Sequence, residues 1–293
     1  MDIPVSVIIR TFNEENNIEE CVSYCKKNNP AEIIVVDGGS TDRTMRILES
    51  IKNIRVVSSE KGLARQRNSG LKSVCEKTKY VAIVDADDRL DKNCLRSLYE
   101  TLESTNADAV QAKHECLSMI TGRKPNYWEE AFLTNMKIIR DIDIKKSNTI
   151  EMVGRPALYR KEMLWKAVNN SSSLQFNNAS EDSDLAYNLK KNGAVFVCGD
   201  GITYRKHLGT LGELYRRWLS YGTGDAKFIK KNPERTRNVL LHVLYVYPVK
   251  RALYCVIRYK ARYVPFFVLQ GIVRFIGIVR YFMPGIGETD NYK

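Results

Sequence analysis

The sequence is short of the features that mark a metal finger, a disulfide scaffold or a P-loop protein. Its seven cysteines include no C-x-x-C pair; Cys21 and Cys25 stand one helical turn apart and the others are scattered. That odd, unpatterned set argues against a disulfide framework and fits reduced thiols in a cytosolic compartment. Only three histidines are present. No glycine-rich phosphate loop follows the first apolar run, no internal repeat is visible, and no long low-complexity linker divides the chain. Met1-Asp2-Ile3-Pro4 lead straight into an apolar run, so no secretory signal is legible. Negative charge is in deficit: 46 Lys and Arg against 34 Asp and Glu leave a formal net charge of +12. An excess of that sign points to an anionic partner, whether nucleotide, nucleic acid or anionic lipid.

What is present is a chain of 293 residues, 44% hydrophobic and 27% charged, enough for a full core. Val5-Ser6-Val7-Ile8-Ile9 is a β-branched run that reads as a buried first strand. Glu14 to Lys27 has helical spacing, then Glu32 to Val36 is a second strand and Thr41 to Lys52 a helix. Ile54 to Val57, the helix from Gly62 to Lys77 and the strand Tyr80-Val81-Ala82-Ile83-Val84 continue the alternation. Strands alternating with helices imply an α/β fold, a mostly parallel central sheet covered by helices on both faces. Further on, strands are expected at Asp108 to Ala112 and Ala194 to Cys198, Gly154 to Tyr159 reads as a loop entering a strand, and helices are expected at Tyr127 to Arg140 and Glu181 to Lys191.

Ligands of such folds sit beyond the carboxyl ends of the strands. Those ends are polar here: Arg10-Thr11-Phe12-Asn13-Glu14, Asp37-Gly38-Gly39-Ser40 and Asp85-Ala86-Asp87-Asp88. Carboxylates clustered at a strand end cost free energy when desolvated without a partner, and a hard divalent cation such as Mg2+ or Mn2+ supplies one. A solvated turn is the plainer alternative for Asp85-Ala86-Asp87 taken alone. Asp37 can accept hydrogen bonds from a nucleobase N–H or a ribose hydroxyl, although Asp37-Gly38 also suits a turn with Ser40 to Asp42 as a helix cap.

Taken in order, the segments Val7 to Glu14, Val35 to Asp42, Gly62 to Gly70, Asp85 to Asp88 and Glu181-Asp182 resemble family 2 glycosyltransferases of the GT-A fold. The resemblance runs from about Pro4 to about Gly224. It implies transfer of a sugar from a nucleotide-sugar, UDP- or GDP-linked, to an acceptor hydroxyl with inversion. It places Thr11 and Glu14 at the base, Asp37, Arg67 and Asp85 on the nucleotide, and Asp87 as the direct ligand of Mg2+ or Mn2+; the plainer alternatives are that Glu14 serves a helix N-terminus and Arg67 is an exposed helix arginine. Asp85 would contact ribose or hold the ion through water, and Asp88 would support it or merely close the turn. Asp182 would be the catalytic base, with Glu181 orienting it; a helix N-terminus also accepts two acids for purely electrostatic reasons. His207 would add a metal ligand or serve structure alone. The loops around Trp128 and Arg155 would set acceptor specificity. Tyr215-Arg216-Arg217-Trp218 departs from the Gln-x-x-Arg-Trp signature of processive relatives, because Leu214 precedes it; that implies a non-processive enzyme. Alternatives are a nucleotidyltransferase, which has no use for Asp182, or an inactive nucleotide-binding membrane scaffold.

Residues 1–230 are thus expected to form the catalytic domain, with a nucleotide-sugar half 1–105 and an acceptor half 106–230. Residues 231–293 form a basic, aromatic helical tail. In it Arg251, Arg258 and Arg262 fall on one helical face and Val249, Leu253 and Val256 on the other, while Arg274 interrupts the longest apolar stretch. A hairpin lying in an anionic membrane interface fits this pattern better than a spanning helix; the plainer alternative is a helical extension packed on the catalytic domain or forming a dimer. The expected location is therefore peripheral or monotopic on the cytoplasmic face of a membrane, with a glycan or lipid-linked acceptor and no nucleic acid.

Overall fold

The computed structural model describes residues 3–147, 154, 156–169 and 181–283. Its first half alternates as expected. β1 (Ile3–Thr11), β2 (Pro30–Asp37), β3 (Arg55–Ser58) and β4 (Tyr80–Asp85) are all parallel, separated by α1 (Ile18–Lys26), α2 (Thr44–Ser50) and α3 (Leu63–Ser73). α1 starts four residues later than the apolar spacing predicts. Asn13 takes a left-handed conformation (φ 55°), and the amides of Asn17 and Ile18 both donate to the Glu14 carbonyl, so Glu14 to Asn17 make a turn. Asn tolerates that conformation because its short side chain bonds locally.

After the short β5 (Asp88–Leu90) come α4 (Cys94–Thr105), β6 (Ala109–Cys116), a single turn α5 (Ser118–Thr121) and α6 (Tyr127–Ser147). β7 (Ala157–Arg160), α7 (Lys161–Asn169), α8 (Glu181–Lys191) and β8 (Phe196–Arg205) complete one eight-stranded sheet, ordered β3-β2-β1-β4-β7-β6-β8-β5. β7 runs antiparallel to β4 and β6, and β5 antiparallel to β8, so the sheet is mixed beyond β4. Alternation along β1 sends Val5, Val7 and Ile9 into a core shared with α1 and α4. Ile8 goes into the opposite core, with Leu71, Leu164 and Leu185 of α3, α7 and α8. Both faces are covered, which is why β1 reads as a continuous apolar run. By alternation Arg10 shares the face of Ile8, and it is itself buried.

The chain forms two compact units: Met1–Lys124 with Ile142–Lys206, and Pro125–Asp141 with His207–Lys293. The second unit is helical. α9 (Leu211–Lys231) starts from a capping box in which Thr210 and Glu213 exchange hydrogen bonds. α10 (Thr236–Leu241), a π-helical stretch His242–Arg251, α11 (Ala252–Arg258) and α12 (Val264–Phe282) follow. α9 and α12 cross with backbones nearly touching: a Cβ on Gly222 would stand 2.1 Å from the Arg274 carbonyl oxygen. Trp218 is buried edge-to-face on Phe266, ring centroids 5.1 Å apart.

In this unit the arginines of the tail divide between interior and surface. Arg251 is buried and donates to Asn135 Oδ1 at 3.0 Å, its guanidinium over the Tyr247 ring. Arg262 pairs with Glu130 and Tyr263. Arg274, the interrupter, also turns inward: it binds both oxygens of Asp225 at 2.7 Å and the Tyr247 hydroxyl at 2.7 Å. Arg258 is exposed, and so are Val249, Leu253 and Val256 of the expected apolar face. Two causes explain the inward turn of Arg251 and Arg274. The π-helical stretch, with Pro248 inside it, changes the angular step on which a 3.6-residue reading depends. The acceptors of the buried arginines come from α6 and α9, far away in sequence.

Candidate active site

The site is built at the carboxyl ends of β1, β2 and β4. Register pairs Arg10 with Asp85 and Thr11 with Asp37, so these residues meet at one rim. Gln66 of α3 holds the rim's first turn. Its buried amide donates to the carbonyls of Thr11 (2.6 Å) and Val36 (3.0 Å), linking the ends of β1 and β2. The loops beyond are tied to each other: Asn13 N–H donates to Ser40 Oγ and Thr41 N–H to Asn13 Oδ1, both at 2.8 Å.

Asp37 is buried, and its carboxylate accepts from the amides of Gly39 (2.8 Å) and Ser40 (2.9 Å) and from the Ser40 hydroxyl (2.5 Å). Gly39 makes this possible with φ +84°, which a side chain would resist. The turn reading of Asp37 is therefore realised, and the same turn fixes the carboxylate at the rim. Thr11 lies deeper: it is buried, and its Oγ1 finds no hydrogen-bond partner among the described residues. Glu14 accepts from Asn17 Nδ2 at 2.7 Å. Its pKa is raised, first by burial and then by the charges of Asp87 and Asp85, which brings it into the same electrostatic neighbourhood.

Two arginines organise the interior. Arg10 donates through Nε and Nη2 to Asp85 Oδ1, and through Nη1 to Glu181 Oε1 at 2.6 Å and to the Leu63 carbonyl at 3.2 Å. Arg67 donates to the other Glu181 oxygen. All three charged side chains, Arg10, Arg67 and Glu181, are only 1% exposed. Burial opposes the charge of Glu181, but Arg10 and Arg67 outweigh it and bring the pKa down to about 2. Glu181 is thus an anchor for the start of α8, and Arg67 reaches it rather than an open surface.

Asp182, next on α8, is half-buried. Its pKa is pushed well above the ordinary carboxylate value by burial, by the charge of Glu181 and by a hydrogen bond with it. Arg10 acts on it in the opposite sense, and Asp85 adds to the rise. Two neighbouring carboxyls with pKa values driven apart are the arrangement in which one stays ionised and the other handles a proton.

The third component follows β4. One oxygen each of Asp85, Asp87 and Asp88 lie within 4.8 Å of one another, the carboxylate group among the described residues with the spacing of a cation site. Hard oxygen donors in that number suit Mg2+ or Mn2+. A cation, the Arg205 guanidinium, stands among them: Nη2 is 3.1 Å from Asp85 Oδ2, 3.4 Å from Asp87 Oδ1 and 2.7 Å from Asp88 Oδ2. Burial works against the charge of Asp85, and Arg10 and Arg205 hold its pKa below the usual range regardless. Asp88 is fully buried; burial is the larger effect there and lifts its pKa to about 6. It also accepts the Asp85 N–H at 3.1 Å, so it supports the turn from below. Asp87 is the most open of the three, its side chain 39% exposed.

His207 belongs to the second unit, where its ring lies tilted on Phe132, centroids 4.6 Å apart. Trp128, on α6, packs edge-to-face with Tyr127; Arg155 lies outside the described residues. Sequence reasoning gave no role to Arg10, Gln66 or Arg205. Arg10 had a usable signal, a charge ending a wholly apolar strand, because a buried charge demands a partner. Gln66 and Arg205 had none, since their partners are set by packing and register.

The sequence matches the family model for glycosyl transferase family 2 over residues 6–168. The glycosyltransferase GlyG of Streptococcus pneumoniae is 34% identical over 114 residues, which is 36% of this chain and 37% of GlyG. Poly(ribitol-phosphate) beta-N-acetylglucosaminyltransferase TarS of Staphylococcus aureus is 28% identical over 203 residues, 62% of this chain and 34% of TarS. These matches thus span only about a third of the relatives' own length. Among solved structures, TarS 1–349 from S. aureus in complex with UDP-GlcNAc has a TM-score of 0.51 at 16% identity, covering 92% of this chain and 90% of that one. Glucosyl-3-phosphoglycerate synthase from Mycobacterium tuberculosis, solved with Mn2+, UDP and glucosyl-3-phosphoglycerate, has a TM-score of 0.50 at 16% identity, covering 77% and 78%. Both likenesses are of fold, and the fold is of the GT-A kind. Since the family match covers more than half of the 293 residues, the chain belongs to glycosyl transferase family 2.

Proposed function

We propose that the chain transfers a sugar from a nucleotide-sugar, UDP- or GDP-linked, to an acceptor hydroxyl with inversion and without processivity. The observation that carries this is the split between Glu181 and Asp182. Glu181, locked between Arg10 and Arg67, stays ionised, while Asp182 beside it has a raised pKa and is half-buried at the rim. A direct displacement needs one base to take the acceptor proton as the hydroxyl attacks, and Asp182 has the proton affinity for it. Glu181 positions it. Asp37, fixed by its turn, takes the nucleoside, with Thr11 and Glu14 beside it at the base. Asp87 and Asp85 would hold Mg2+ or Mn2+, which would neutralise charge growing on the leaving diphosphate. TarS was solved with UDP-GlcNAc, which makes that sugar nucleotide the first donor to test.

A thermal-shift screen across UDP-, GDP- and dTDP-sugars, with and without Mn2+, tests the donor half. Stabilisation by one nucleotide class is expected; none by any of them would sink the reading.

The acceptor is read as a glycan or lipid-linked molecule at an anionic membrane surface on the cytoplasmic side. The tail supports this because large apolar side chains are exposed along it. Arg251 and Arg274 are satisfied inside, whereas Leu253 and Ile257 are 59% and 68% exposed and Leu241, Leu244, Tyr245 and Val256 are exposed as well. Pro233–Arg258 and Ala261–Phe282 are also long and apolar enough to cross a membrane. Exposed apolar side chains together with exposed Arg237, Lys250, Arg258 and Lys260 suit the interface of an anionic bilayer. Flotation with vesicles containing phosphatidylglycerol tests it. The full chain should float, and Leu253→Asp/Ile257→Asp should not; equal flotation of both would remove this face from the proposal.

A further inference from the structure

The carboxylates after β4 already have a cation of their own, and its attachment is uneven. Arg205 closes β8, where the antiparallel register sets it opposite Asp88. On Asp88 its grip is bidentate: Nε to Oδ1 at 2.8 Å and Nη2 to Oδ2 at 2.7 Å, with the carboxylate fully buried. The contacts of the same Nη2 to Asp85 (3.1 Å) and Asp87 (3.4 Å) are single and longer. The other oxygen of Asp85 receives Arg10. Both Asp85 oxygens therefore face guanidinium groups, and a divalent ion seated on Asp85 and Asp87 meets Arg205 at its own ligands. Like charges on shared oxygens repel at this range.

We infer that Arg205 is the resident counter-cation of Asp85 and Asp87, and that a divalent ion enters only by displacing its Nη2 from them. This rests on the reading above in which Asp85 and Asp87 hold the ion. The double bond to Asp88 keeps Arg205 on its strand while its outer nitrogen lets go. The anion that relieves the crowding of positive charge is the nucleoside diphosphate. Ion and nucleotide are then positively coupled: each binds better with the other present, by the same factor. In the free protein Arg205 screens the carboxylates from one another, which keeps their turn assembled before either ligand arrives. Arg205 is a positioning residue in this scheme, acting through the carboxylates.

The test reads metal directly. Free Mn2+ is followed by its EPR signal with the full chain as wild type, Arg205→Met and Arg205→Lys, each with and without UDP, after thermal melts confirm folding. Without UDP, Arg205→Met should bind Mn2+ at least about tenfold tighter than wild type, within the usual range of coupling between sites. Arg205→Lys, whose shorter reach keeps the charge nearer Asp88, should give a smaller gain in the same direction, and it decides the matter if the methionine variant fails to fold. In both, the gain in Mn2+ affinity on adding UDP should shrink. Unchanged or weaker Mn2+ binding in the folded variants, with the wild type taking up Mn2+ beside UDP, overturns the counter-cation role and leaves the metal reading standing. No Mn2+ uptake by any chain under either condition overturns the metal reading and this inference together.

Discussion

Replacing Glu181 by glutamine isolates the electrostatic part of the site, because the amide keeps the shape and loses the charge that Arg10 and Arg67 share. The carboxyl pKa falls from an ordinary 4.5 to about 2 on folding. Each unit corresponds to ~1.4 kcal/mol, so the ionised form contributes about 3 kcal/mol at neutral pH. A second route agrees: removing one partner of a buried pair costs about 3–5 kcal/mol. The sign follows from the direction of the shift. A lowered carboxyl pKa stabilises the fold above pH 4.5, and that stabilisation is lost as the pH falls from 4.5 towards about 2. For a domain of ~150–250 residues, about 3 kcal/mol is a fall in melting temperature of roughly 6–12 °C. Differential scanning fluorimetry of wild type and Glu181→Gln from pH 7 down to pH 3 measures both. The wild type should lose the advantage as the pH drops, and the two curves should converge. A variant melting within about 2 °C of wild type at pH 7, with a parallel acid limb, would refute the clamp and its part in setting the proton affinity of Asp182.

Asp182→Asn should leave sugar-nucleotide binding within about twofold while transfer falls by about 10²–10⁴, the usual contribution of a general base; surviving transfer would move the base elsewhere. In the wild type the base must be ionised, so kcat should rise with pH through a value above the ordinary aspartate range, following the raised pKa of Asp182; a flat profile down to pH 4 would count against the assignment. Gly277→Leu should loosen α12 from α9, since even a Cβ there would stand 2.5 Å from the Leu219 carbonyl oxygen. Faster cleavage within residues 264–282 under limited proteolysis is the expected readout, with a cost of at least about 1–3 kcal/mol from overpacking. Arg274→Met should destabilise by about 3–5 kcal/mol, and Arg274→Met/Asp225→Leu should recover most of it, because the loss comes from leaving the buried Asp225 unpaired; chemical denaturation of the single and double variants distinguishes this from loss of packing.

The alternation of β1 to β4 with α1 to α3 was legible in order and type, because fully covered parallel strands leave unbroken apolar runs. Boundaries slipped where a local hydrogen bond competed with periodicity, as at Glu14 to Asn17 before α1. α4 and α7 were not anticipated, although both carry amphipathic spacing around Leu95, Leu98 and Leu102 and around Leu164, Ala167 and Val168. The tail was legible as helical and apolar, but not in which of its arginines turn inward. There the deciding contacts, Arg251 with Asn135 and Arg274 with Asp225, join segments far apart in the chain.

By itself the sequence determined which ionisable groups stand at the ends of the strands and helices. Carboxylates after β4, an aspartate after β2 and an acid pair opening α8 are local features, written in consecutive residues at strand and helix ends. Only the tertiary structure decided how those groups are charged and held. Register set Arg10 beside Asp85 and Arg205 opposite Asp88, and packing closed Arg67 onto Glu181. Proton affinity and the hold on a cation depend on burial and on charges a few ångströms away, and those neighbours come from residues as distant as Arg10 and Glu181.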